Sequence, residues 1–185
     1  MNRLHLLLAT AALALPAAAQ AQALDTDSTS LALIGSVPAL CTGGAVTGGD
    51  TTYDLGVLVD TATGLLRTDL SAPDKVMAGS FCSTRSTISV EATAMTAQSF
   101  AGVAPAGFSK DVHYTATASG WTTTPASFST AAASNPGASQ SRATAFSGDI
   151  AVGISGFATA GGNALRLVSD PQYRGQVIVT LTAAN

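Results

Sequence analysis

With 185 residues, a net charge of −3 and only 10% of residues charged, the chain has no excess of basic side chains to neutralise phosphates, which argues against nucleic acid as a partner. Its mean hydropathy is positive, whereas disordered chains combine low hydrophobicity with high net charge, so a folded protein with a polar but uncharged surface is expected.

Residues 1–23 read as an export signal. Arg3 supplies the positive start, Leu4 to Leu15 an apolar run closed by Pro16, and Ala21-Gln22-Ala23 the small-x-small pattern that signal peptidase cleaves. The apolar run is shorter than the ~20 residues a membrane helix needs, and no later stretch reaches that length, so no membrane span is expected. The mature chain then starts near Leu24, and its roughly 160 residues suit one domain with a single core. Residues 24–40 form an N-terminal extension, and residues 41–185 the domain itself.

Cys41 and Cys82 are the only cysteines, and both lie past the export signal, in a compartment where thiols are oxidised. One disulfide is the expected pairing. On the chain-entropy model, closing a loop of this length is worth about 4 kcal/mol.

From Thr42 onward helical periodicity is nearly absent, while short runs alternate apolar with small polar residues between Gly, Pro, Asn and Asp. Thr42 to Thr52 is Gly-rich. Tyr53 to Val59 reads as a strand with Tyr53, Leu55, Val57 and Val59 on one face, Ala72-Pro73-Asp74 as a turn, and Val76 to Cys82 as a second strand. Thr87 to Ala94 sets Ile88, Val90 and Ala92 together, and Val112 to Ala118 does the same with Val112, Tyr114, Ala116 and Ala118. Ser134 to Ser141 reads as a polar loop. Asp149 to Gly156 aligns Ile150, Val152 and Ile154; Ala164 to Val168 sets Leu165 and Leu167 opposite Arg166; and Gln176 to Ala183 aligns Val177, Val179, Leu181 and Ala183. The expected fold is an all-β sandwich.

Residues with chemical potential have bland explanations. His113 is the one histidine past the leader and falls opposite the apolar face of its strand; no GxSxG elbow accompanies it. Asp50, Asp54, Asp60, Asp69 and Asp74 crowd one third of the chain as paired glycosidase carboxylates would, yet most stand beside Gly, Thr or Pro, where aspartate caps backbone amides. Asp25 and Asp27 read as a solvated tail. Trp121 suits core packing better than a sugar-stacking platform, and Phe100, Phe108, Phe128, Phe146 and Phe157 read as core filling. No EF-hand, P-loop or dinucleotide fingerprint appears. No enzyme and no cofactor or metal is expected.

One ordered set of features remains. An alternating segment (TSLALIGSVPALC, Thr29 to Cys41) precedes the first cysteine, Leu55-Gly56-Val57 follows, then a run ending in Cys82, and the chain closes on the alternating strand Gly175 to Thr182. In this order the chain resembles the subunits of chaperone–usher pili. The resemblance implies an immunoglobulin-like, pilin-type sandwich that is incomplete by one strand. A periplasmic chaperone would fill the gap first, and then the extension of the next subunit. It implies that Leu31, Leu33, Gly35 and Val37 are the inserting residues and that Val177, Val179 and Leu181 line the C-terminal edge strand that the chaperone engages. Pilins carry a penultimate aromatic with a glycine a strand's length earlier; here the chain ends Thr182-Ala183-Ala184-Asn185, with Tyr173 and Gly175 upstream. The end Pro171 to Gly175 plus the last strand is also similar to spore-coat-U-like secreted proteins, pilin relatives with their own chaperone–usher systems.

The expected function is thus a structural subunit of a surface fimbria, exported through the periplasm, supporting adhesion or biofilm formation, with a chaperone, an outer-membrane usher and like subunits as partners. A second reading stays open: a self-complete secreted sandwich in which Leu31 to Val37 is the chain's own first strand and the loops bind carbohydrate through Trp121 or Tyr114.

Overall fold

The computed structural model describes residues 27–184, so the expected leader at 1–23 and residues Leu24 to Thr26 of the expected extension lie outside the described residues. The chain divides into a first unit ending at Ser36 and a body from Val37 onward. The described part of the first unit, Asp27 to Ser36, forms no strand and every residue in it is exposed.

Eleven strands make up the body among the described residues, and no helix. They are β1 (Cys41–Thr42), β2 (Ala45–Thr47), β3 (Lys75–Cys82), β4 (Ser86–Ala97), β5 (Phe108–Ser109), β6 (Asp111–Ser119), β7 (Ala126–Ser129), β8 (Ser139–Arg142), β9 (Phe146–Thr159), β10 (Arg166–Leu167) and β11 (Tyr173–Ala183). One sheet runs in the order β1, β3, β9, β6, β4, β11; β2 joins β3, β7 joins β6, and β8 joins β4. β4 and β6 share only the pairs Met95 with Val112 and Thr96 with Asp111. At this narrow join the sheet folds over on itself, giving an all-β, barrel-like sandwich with a core between its two faces.

Alternation explains the strands. β6 buries Val112, Tyr114, Ala116 and Ala118 and leaves the intervening residues half-buried; β4 buries Ser86, Ile88 and Val90, and β9 contributes Ile150 and Val152. Trp121, 1% exposed, packs its ring 4.3 Å from that of Phe146, whose other neighbour is the Arg142 guanidinium, 4.9 Å from the ring centroid. A second, smaller cluster closes one end of the sandwich around Leu66, Val112 and Leu167. The Cys41–Cys82 disulfide is formed and joins the first ladder pair of β1 and β3.

Three expected elements differ. Tyr53 to Val59 forms no ladder beyond one bridge from Val59 to Leu66. The Asp54 carboxylate accepts the Gly56 amide at 2.9 Å, and Gly56 takes φ +62°, so an Asx turn breaks the run at its centre. Tyr53 instead swings across to donate its hydroxyl to the Val152 carbonyl. Ala164 to Val168 shortens to β10, which pairs in parallel with β5. The expected loop Ser134 to Ser141 ends in strand, because Ser139 to Ser141 join β8 and pair with Ile88 and its neighbours on β4.

Candidate assembly interface

The two ends of the sheet path do not pair with each other. β1 and β2 form ladders with β3 alone, and β11 forms a ladder with β4 alone. β1 approaches β11 near its C-terminal end, where the Ala184 amide donates to the Arg85 carbonyl. At the other end a cavity of about 660 Å³ separates the Tyr53–Leu55 loop from Tyr173–Val177 of β11, with Tyr114 and Ile154 on its inner wall. The outer edge of β11 therefore has no strand partner, and an open seam lies beside it at the Tyr173–Val177 end.

Burial along this edge is uneven in an informative way. Val177, Val179 and Leu181 face the core and pair with Ala92, Val90 and Ile88 of β4. Val90 and Ile88 are fully buried, whereas Val177, Val179 and Leu181 are only half-buried and Ile178 on the opposite face is exposed. The inner row of β11 thus leaves apolar surface and a line of unpaired backbone groups uncovered, both unfavourable in water. The seam carries little charge. Tyr114 donates its hydroxyl to the Gln176 carbonyl at 2.9 Å, and burial, with a smaller contribution from Tyr53, pushes its pKa up to about 12. Tyr173 donates to the Val168 carbonyl at 2.7 Å; burial first, then the negative charges of Asp170 and Asp111, push its pKa to about 12 as well.

The extension carries an exposed apolar row. Leu31 is 84% exposed, Leu33 96%, Ile34 98% and Val37 83%, and nothing lies within 4 Å of where a Cβ on Gly35 would stand. In an extended strand Leu31, Leu33, Gly35 and Val37 share one face. No lysine or arginine occurs between Thr29 and Leu40.

The residues weighed for chemistry are held in structural roles. His113 Nδ1 lies 3.1 Å from the Thr130 carbonyl oxygen. The Asp50 carboxylate accepts the Thr52 amide, that of Asp60 accepts the Ala62 and Thr63 amides, and Asp69 pairs with Arg67 at 2.7 Å. Asp170, outside the crowded group, accepts the Ser99, Phe100 and Gln172 amides, and these bonds hold its carboxyl below the usual range against the opposing effect of desolvation. Trp121 and Tyr114 are packed inside, so neither presents a stacking face to solvent. No group of three or more His, Cys, Asp or Glu is placed to hold a metal among the described residues, and no described helix is long and apolar enough to cross a membrane.

Sequence reasoning missed β1 and β2, which form the other bank of the seam, and Ser83, which ties the root of the extension to β3. β2 is only three residues long and lies in a Gly-rich stretch, so its alternation was too brief to read. Ser83 carries no signal beyond its place after Cys82. Comparisons with protein-family models, curated proteins and solved structures returned no match.

Proposed function

We propose that this chain is an exported structural subunit that polymerises by strand donation. The extension of one copy, with Leu31, Leu33, Gly35 and Val37 inward, enters the seam between β11 and β1/β2 of the next. The observation that carries this reading is the half-buried row Val177, Val179 and Leu181 on a strand whose outer edge has no partner. An added strand satisfies that edge and covers that row together, which is β-augmentation. The exposed, uncharged alternation of the extension supports the same occupant.

Within this reading the chain belongs with fimbrial subunits of the chaperone–usher kind. A periplasmic chaperone shields the seam of the single subunit, an outer-membrane usher orders the exchange, and the polymer stands on the cell surface, where it supports adhesion or biofilm formation. The role is structural and uses no cofactor.

The test uses a chain that starts at Cys41 and a synthetic peptide spanning residues 27–40. The reading expects the peptide to bind this shortened chain with one-to-one stoichiometry, and the full mature chain to form linear polymers visible by electron microscopy. A shortened chain that ignores the peptide, together with a full chain that stays monomeric at every concentration, rejects it.

A further inference from the structure

The root of the extension is built as a clamp. The β1–β3 ladder pairs Thr42 with Phe81 and Cys41 with Cys82, and continues one residue outward, where the Ser83 amide donates to the Leu40 carbonyl at 2.9 Å. The Leu40 amide donates to Ser83 Oγ at 3.0 Å, and that hydroxyl donates to the Pro38 carbonyl at 3.2 Å. Proline fixes its own φ and biases the residue before it, Val37, toward extended backbone. Residues 38–40 therefore prolong the line of β1 past the Cys82 end of β3. The seam runs the opposite way, from Cys41 along β1 and β2 toward the Tyr53 loop. To fill its own seam the chain would have to reverse at Pro38–Leu40 and give up these bonds.

That reversal matters because a ligand on a short flexible tether has an effective concentration in the millimolar range, which falls to near zero when the tether cannot make the span. At micromolar protein an unrestrained extension would insert into its own subunit and end assembly there. We infer that the Ser83–Pro38 clamp directs the extension into a second copy by denying it its own seam. This inference rests on the strand-donation reading above.

The experiment compares three mature chains refolded at micromolar concentration: wild type, Ser83→Ala, and a chain with Gly-Ser-Gly-Ser inserted between Leu40 and Cys41. Light scattering gives the monomer fraction, and hydrogen exchange over Val177–Ala183 reports whether the monomer's seam is filled. Wild type is expected to polymerise. Ser83→Ala, which loses the hydroxyl at the root, is expected to raise the ratio of self-filled monomer to polymer about fivefold. The insertion is expected to yield mainly monomer with a protected β11 and a melting temperature no lower than that of the wild-type subunit. If both altered chains polymerise to the wild-type extent and no monomer has a protected β11, the clamp is overturned while strand donation stands. If wild type fails to polymerise and the 27–40 peptide fails to bind the chain starting at Cys41, strand donation falls and the clamp falls with it.

Discussion

Replacing Leu33 by alanine in the extension tests whether its two faces differ. Leu33 is 96% exposed and Ile34 98% exposed, so in the free subunit the two side chains lose equally little on truncation. In the seam they part company. On the proposed insertion Leu33, which shares a face with Leu31 and Val37, would be buried against the inner row of β11, while Ile34 would point to solvent. Taking ~0.8 kcal/mol per buried methylene, trimming Leu33 to alanine forfeits about 2 kcal/mol, or roughly a 30-fold rise in Kd. Ile34→Ala should change Kd by less than about twofold, since surface truncations cost within ~0.5 kcal/mol. The assay is fluorescence anisotropy of labelled 27–40 peptides titrated with the chain that starts at Cys41. Equal losses at the two positions, or no loss at Leu33, would refute insertion with this face inward.

Three further outcomes follow from the body of the protein. Replacing Cys41 and Cys82 together by serine opens a loop of sequence separation 41 and should lower unfolding stability by about 4 kcal/mol on the chain-entropy model, read as a drop in the urea midpoint; reducing agent should then have no further effect. Trp121→Ala removes a ring that is 1% exposed and packed against Phe146, and should cost about 3–5 kcal/mol in the same assay; a loss under about 1 kcal/mol would mean the ring is not part of the core. Tyr114 and Tyr173 have folded pKa values raised to about 12 from the ordinary 10.0. The unfolded chain therefore releases these protons first. The stability they contribute is complete below pH 10.0 and is lost as pH rises toward 12, so alkaline unfolding should begin between those limits and coincide with phenolate absorbance. In a Tyr53→Phe chain, which leaves these two as the only tyrosines, phenolate that appears at pH 10 before unfolding would contradict the shielding of both rings.

Much of the fold was legible because its long strands are half-buried and alternate cleanly. Ile88 and Val90, alternate residues from Val112 to Ala118, and Ile150 and Val152 fall on one face each, and the chain's two cysteines leave one pairing. What stayed hidden was decided by tertiary context. Tyr53 to Val59 has the alternation of a strand, but a single Asx turn at Asp54–Gly56 and the reach of Tyr53 to Val152 outweigh it. Ser139 to Ser141 have no apolar pattern and become strand because β4 offers a free edge. For the proposed interface, alternation places Leu31, Leu33 and Val37 on one face and Val177, Val179 and Leu181 on another, and only the resemblance gives them their roles. That β11 ends a sheet path with no partner on its outer side is a property of strand order, which alternation does not encode.

The open seam is tested most directly by hydrogen exchange over Val177–Ala183 in the chain that starts at Cys41, with and without the 27–40 peptide. An edge with no partner exchanges its outward amides freely, and an inserted strand closes them. The account predicts slow exchange in this stretch only when the peptide is bound, with β6 amides protected in both states. Equal protection of β11 with and without the peptide would show that the sandwich is already complete.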